Sequence, residues 1–375
     1  MREYLLALTV AAVVTYVVGV SAREVAARIG AVAQVRDRDV HAVPIPYFGG
    51  LALLAGLVAA YLVAGRLPFL SSAPDVLFSD ARAVLVGGAV ICLVGVLDDV
   101  FELDALTKFV GQVTAAAIVV AQGVQLYWLP LPGVLALDPT QRLLLSVLLI
   151  VATVNAINFI DGLDGLAAGV AAIGASAFFV FAFSLAVQGG LTRALSAALL
   201  TSALAGACVG FLPHNFYPAR MFMGDSGSML IGLVLSCSAI SLTGQFPTSR
   251  IPQGIFGATA SLLPAYLPLI LPFAVLIVPF VDMVLAIVRR TRAGRSPFSP
   301  DKKHLHHRLL EIGHSQRRAV LVMYLWASLV AFGVVVMSLF SGWWSAAGLT
   351  TMAATALLLT FGVPGHSGII NTEDA

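Results

Sequence analysis

The chain has 375 residues, 59% of them hydrophobic and 11% charged, with a formal net charge of +2. So little polar surface excludes a water-soluble globule, and basic residues scattered through short loops exclude a nucleic-acid-binding face. Three cysteines, Cys92, Cys208 and Cys237, lie in apolar runs without metal-ligand spacing and read as small hydrophobes.

A hydrocarbon core of about 30 Å takes about 20 apolar residues of helix. Hydropathy places candidate spans at 4–20, 48–66, 82–97, 109–127, 142–159, 166–188, 191–212, 229–243, 266–288, 319–340 and 343–362. The expected fold is all-α and polytopic, with about 11 transmembrane helices. Pro264, Pro268, Pro272 and Pro279 in or beside the ninth run predict a bent or broken helix there. No internal repeat or long linker divides the chain. Residues 1–375 therefore read as a single integral-membrane domain, with 363–375 a flexible cytoplasmic tail.

An N-terminus outside and a C-terminus in the cytoplasm put roughly 15 of the 21 basic residues inside, among them Arg23, Arg36, Lys108, Arg220, Lys302 and Arg317. The opposite orientation would invert this bias. Arg2 and the small residues Ser21-Ala22 imitate a cleavable signal, but cleavage would export the Arg-rich 23–38 loop. An uncleaved first helix is expected.

Four polar clusters fall at cytoplasmic helix ends or loops, where carboxylates beside a bilayer point to function. The first is Asp98-Asp99, followed by Lys108 and Gln112 at the start of the next helix; adjacent acids call for a cation or a shared proton. In the second, Asn155, Asn158, Asp161 and Asp164 recur every three residues along one helix face, with Gly162 and Gly165 loosening the backbone. The bland alternative is an interhelical hydrogen-bond strip.

The third cluster runs from Asn215 through Phe222 to Gly224-Asp225-Ser226-Gly227-Ser228, just before a helix. Asp225 could cap that helix, or serve a divalent cation while the amides receive phosphate. The fourth, His304-Leu-His306-His307-Arg308, sits among Lys302, Lys303 and Arg residues, which favour an anion over zinc.

Together these clusters resemble the polyprenyl-phosphate N-acetylhexosamine-1-phosphate transferases, a membrane family. The resemblance runs in order from Pro44-Ile-Pro-Tyr-Phe-Gly-Gly50 through Asp98-Asp99, Asn155 to Leu166 and Met223 to Ser228, ending at His304 to Arg308. It implies a bacterial cytoplasmic membrane, a UDP-sugar and a polyprenyl phosphate as substrates, and magnesium, with manganese as an alternative ion. By matching position it implies Asp98, Asp99, Asp161 and Asp164 as catalytic residues, and Asp225 and Asp98 as metal ligands. The implied substrate-binding set is Lys108, Gln112, Asn155, Asn158, Gly162, Leu163, Asn215, Phe222, His304, His306, His307 and Arg308. Tyr47 departs from the pattern and receives no role.

Contact with membrane lipid follows from the spans; the choice between monomer and homodimer stays open. The His-Leu-His-His-Arg form of the fourth cluster resembles the branch using UDP-N-acetylglucosamine rather than the phospho-N-acetylmuramoyl-pentapeptide branch. Joining a diphosphate donor to a phosphate acceptor requires several negative charges to be neutralised, which a metal and basic loops would supply. The acceptor is largely dianionic near neutral pH, so Asp98 can be a base or a positioning group. An ion-coupled transporter would carry its acids near the midplane on repeated halves, and a silent scaffold would lack one of these carboxylates.

Overall fold

A computed structural model of the chain describes residues 1–33, 44–72, 74–129, 135–188, 191, 194–243, 291–292, 315–339 and 343–361. The expected ninth span at 266–288, the His304 to Arg308 cluster and the tail at 363–375 lie outside these residues.

Ten full helices are described: α1 Arg2–Ile29, α2 Gly49–Ala64, α3 Pro74–Phe101, α4 Ala105–Ala121, α5 Pro139–Ile160, α6 Leu166–Gln188, α7 Ala194–Asn215, α8 Gly224–Thr243, α9 Gln316–Leu339 and α10 Trp343–Phe361. Seven of the described helices are long and apolar enough to cross a membrane: α1, α3, α5, α6, α7, α8 and α9. The others are shorter apolar helices. Large apolar side chains such as Leu93, Phe101, Leu106, Phe109, Leu148 and Phe159 face outward, a surface suited to lipid rather than water.

Strict all-α content is corrected by two small hairpins. Strand β1 (Val32–Ala33) pairs antiparallel with β2 (Ile45–Pro46), and β3 (Trp128–Leu129) with β4 (Leu135–Ala136). The first ties the end of α1 to the Pro44 to Gly50 motif. The second ends the fourth span early: Gly123 turns the chain at φ 99° after α4, where hydropathy extends the run to 127.

Helix α1 runs unbroken through Ser21-Ala22 and stops at Gly30, which takes the left-handed conformation at φ 79°. Its buried stripe of Ala7, Ala11, Thr15 and Gly19 lies against α7 and α2. On α7, Gly206 and Gly210 let the backbones touch, since a Cβ there would meet the main chain of Leu8 and of Ala12. This is the small-residue spacing that joins helices in a bilayer, where burial of apolar surface adds little.

Helix α8 is the axis of the described bundle. It is buried from Ser226 to Thr243 and packed by α2, α3, α5 and α7. Its first turn begins at Gly224, five residues before the hydropathy boundary, because polar Asp225, Ser226 and Ser228 belong to the helix. Helix α3 likewise continues through Asp98 and Asp99 to Phe101. Asp104 then starts α4 by accepting from the amides of Leu106 (2.9 Å) and Thr107 (3.0 Å). The Thr107 hydroxyl and these amides hold its carboxyl below the usual range.

Gly210→Val and Gly206→Val should each separate α1 from α7 and cost about 1–3 kcal/mol. Thermal unfolding of the detergent-solubilised variants measures this, and an unchanged Tm in both would refute the close-packed seam.

Candidate active site

The ends of α3, α5 and α7 and the starts of α4, α6 and α8 meet at one pole of the bundle. Three of the four polar clusters gather there. At the centre, the Lys108 ammonium lies 3.2 Å from Oδ2 of Asp98 and against Oδ2 of Asp225. One cation thus joins the end of α3 to the start of α8. All three side chains are only partly exposed, at 16–24% of their surface.

The other oxygen of Asp225 accepts from the Asn158 amide at 2.8 Å, and Asn158 also donates to the Ser228 hydroxyl at 2.9 Å. Asn158 therefore binds α5 to the first turn of α8. One turn earlier, Asn155 and Gln112 form an amide pair, with the Asn155 side chain donating at 2.7 Å. Gln112 is fully buried and also reaches the Met229 sulfur at 3.3 Å. Asn155 and Gln112 thus form the interhelical strip that was the bland reading, while Asn158 turns to the charged centre.

Asp99 faces away from Lys108 and into α8. It accepts from the Asp225 amide at 2.8 Å and from the Ser226 hydroxyl at 2.9 Å. The cap of α8 is therefore Asp99 from another helix; Asp225 lies inside the first turn, leaving its side chain directed at Lys108 and Asn158.

Asp164 and Asn215 brace the loop 216–223 between α7 and α8. Asp164, which is buried, accepts from the Ala219 amide at 2.9 Å. Asn215 accepts from the Gly165 amide and donates to the Met221 carbonyl, both at 3.0 Å. Gly162 is exposed with open space where a Cβ would stand, whereas the Leu163 side chain is buried. Asp161 is pushed up to about 7 by burial, then by the charges of Asp99 and Asp164, so near neutral pH it can hold or give up a proton. Phe222 lies beside Tyr47, ring centroids 6.2 Å apart.

The Pro44 to Gly50 motif acquires a structural meaning. The Phe222 amide donates to the Pro46 carbonyl at 2.8 Å, and the amides of Gly49 and Gly50 donate to Phe222 and Met223 at 3.2 Å. Two further groups carry no sequence signal, since a lone Tyr or Arg at a helix end is ordinary. Tyr324 of α9 donates to the Gly165 carbonyl, and Arg317 donates to the Tyr217 carbonyl at 3.1 Å. Both clamp α9 onto the site loops.

The donor set suits a hard divalent cation. Among the described residues, Oδ2 of Asp225 is buried, accepts no hydrogen bond, and has as its only cation Lys108, which it shares with Asp98. Among the described residues no three His, Cys, Asp or Glu side chains form a ready-made cage. Magnesium needs none, because it takes one or two carboxylates and completes its shell with water and substrate phosphates.

Residues 81–243, which include these three clusters, match the family model described as glycosyl transferase family 4. The chain is similar to the decaprenyl-phosphate N-acetylglucosaminephosphotransferase of Mycobacterium tuberculosis strain H37Rv, at 47% identity over 89% of this chain and 82% of that protein. The enzyme of the same name from Mycobacterium leprae is 48% identical over 89% of this chain and 83% of its own length. The undecaprenyl-phosphate alpha-N-acetylglucosaminyl 1-phosphate transferase of Salmonella typhi is 30% identical over 83% and 77%.

Lys108→Met should leave Asp98 and Asp225 without their shared cation and destabilise the metal-free protein by about 1–3 kcal/mol. Added magnesium should raise the Tm of this variant more than that of the wild type, because the ion then supplies the missing charge. An equal rise in both proteins would reject a metal at this pair.

Proposed function

The chain belongs to glycosyl transferase family 4, and we infer that it transfers N-acetylglucosamine-1-phosphate from UDP-N-acetylglucosamine to a polyprenyl phosphate, releasing UMP. The observation that carries the reading is the Lys108 cation held between Asp98 and Asp225 at the meeting of α3, α4 and α8. The protein is a multi-pass membrane protein, which suits a substrate anchored by a prenyl tail.

An acceptor phosphate oxygen bonds to the sugar-bearing phosphorus of the donor, and the bond from that phosphorus to the bridging oxygen breaks, so the bridging oxygen leaves with UMP. Both substrates are anions, and charge neutralisation is the main demand on the site. Magnesium, or manganese in its place, held by Asp225 with Asp98, would draw the phosphates together and stabilise charge on the leaving UMP. Lys108, whose ammonium lies against the same two carboxylates, contributes a second cation. Asp98 orients that ammonium toward the acceptor. Asn158 fixes the rotamer of Asp225. Gly162 to Asp164 with Phe222 would receive the uracil in this reading, Gly162 being exposed while Leu163 and Asp164 are buried behind it, and Asp161 would line the same groove. His304, His306, His307 and Arg308 complete the donor site in this reading, Arg308 presenting a planar fork of donors to phosphate or sugar hydroxyls.

The same reading sets about 11 spans in one integral-membrane domain, with the N-terminus outside the bacterial cytoplasmic membrane and the catalytic pole on the cytoplasmic face. It leaves monomer or homodimer to direct measurement. A transporter is not favoured, since the carboxylates cluster at helix ends of one pole. The relatives' names divide between decaprenyl and undecaprenyl phosphate, and an acceptor panel would distinguish these chain lengths.

Purified protein should release UMP from UDP-N-acetylglucosamine with polyprenyl phosphate and magnesium, but little from UDP-N-acetylmuramoyl-pentapeptide. Efficient use of the latter would overturn the donor assignment. Asp225→Ala should abolish turnover in a folded protein, and near-wild-type rates at saturating magnesium would refute its metal role. Orientation is checked separately: a cysteine at Lys302 or Arg36 should be shielded from impermeant thiol reagents in intact cells and one at Arg250 labelled, the reverse pattern excluding a cytoplasmic site.

A further inference from the structure

Adjacent acids at the end of a helix invite a shared role, yet Asp98 and Asp99 have different neighbours. Asp98 meets Lys108. Asp99 instead receives the first-turn donors of α8: the Asp225 amide at 2.8 Å on Oδ1, and the Ser226 hydroxyl at 2.9 Å and amide at 3.4 Å on Oδ2. Helix α8 has no local side chain for this purpose, because Met223 precedes it and its first residue is Gly224.

The backbone is shaped around that contact. Gly224 takes φ 69°, and a Cβ there would collide with the Asp99 carboxylate. Gly95, one turn before Asp99, lies on the Ser226 backbone, and Gly50 of α2 lies on the same turn from the other side. These three glycines bring α2 and α3 to backbone distance from the start of α8.

We propose that Asp99 is a positioning residue, a cap lent by α3 to the N-terminus of α8 that sets the direction of Asp225. The inference rests on the transferase reading above only for the role of Asp225. Its physical content is that Asp99 is required as a hydrogen-bond acceptor facing the positive end of a helix, whereas Asp98 is required as a charge beside the substrates. A slack first turn would swing Asp225 away from Lys108 and Asn158, weakening metal binding before any effect on the fold as a whole.

Asparagine keeps one acceptor oxygen for the Asp225 amide and can turn its NH2 to the Ser226 hydroxyl oxygen, so it preserves much of the cap, whereas alanine preserves none. With full-length enzyme in detergent, Asp99→Asn should therefore keep UMP release within about tenfold of wild type. Asp98→Asn and Asp99→Ala should each fall by about a hundredfold or more, and Asp99→Ala should also raise the half-saturating magnesium concentration and lower Tm. Adding Ser226→Ala to Asp99→Ala should lower Tm little further, because the two partners share one interaction. The proposal is overturned if Asp99→Asn is as inactive as Asp98→Asn while its Tm and magnesium dependence match wild type. Should Asp99→Ala not accumulate, Asp99→Asn alone decides the question. Absence of UMP release by the wild type would refute the transferase reading, while a higher Tm for Asp99→Asn than for Asp99→Ala would still support the cap.

Discussion

A single ammonium, that of Lys108, lies between the carboxylates of Asp98 and Asp225, and the rest of the pole is arranged to keep these three groups together. Two carboxylates about 4 Å apart at an effective dielectric of ~20 repel by ~4 kcal/mol, a large share of a typical domain's net stability. The cation turns that repulsion into attachment between α3 and α8. It does so loosely, since an ammonium on a flexible stem can follow either carboxylate or a substrate phosphate. A guanidinium in its place would be a more rigid fork.

Around this charged centre, attachment is made by hydrogen bonds to side-chain amides and to the backbone. The Gln112–Asn155 pair joins α4 to α5, and Asn158 joins α5 to α8. Asn215 and Asp164 hold the loop that leads into α8, and α9 clamps the same loop through Arg317 while Tyr324 closes on Gly165. Amides make most of these bonds at no cost in charge, where charge is costly; Asp164 and Arg317 are charged, and each is bonded to the backbone.

Much of this was legible in the sequence because polar residues are conspicuous in an apolar chain. The clusters at Asp98, Asn155 to Asp164 and Asn215 to Ser228 stood out by composition, and the fold brings all three together. Helix boundaries were less legible. Hydropathy ends α3 before Asp98 and begins α8 after Ser228, since it scores side chains and not the capping bonds that let polar turns stay helical. The division of labour between Asp98 and Asp99 could not be read at all: neighbours in sequence differ by about 100° around a helix, and which faces Lys108 depends on packing. The parts played by Arg317 and Tyr324 depend on contacts across 100 and 159 residues of sequence. The His304 to Arg308 cluster lies outside the described residues.

The burial of α8 from Ser226 to Thr243 bears on how the protein is made. Its mean hydropathy of 1.6 is the lowest among the seven long apolar helices described, and its first turn carries Asp225 and Ser226. Alone in lipid such a segment would be a poor entrant, with a carboxylate and several hydroxyls unanswered. The helices that answer them, α3 with Asp99, α4 with Lys108 and α5 with Asn158, all precede it in the chain, so each has left the ribosome before α8 does. Synthesis from the N-terminus thus prepares a protein-lined berth for the helix that carries Asp225. The order of helices along the gene is itself part of what allows a carboxylate-bearing segment to enter the membrane.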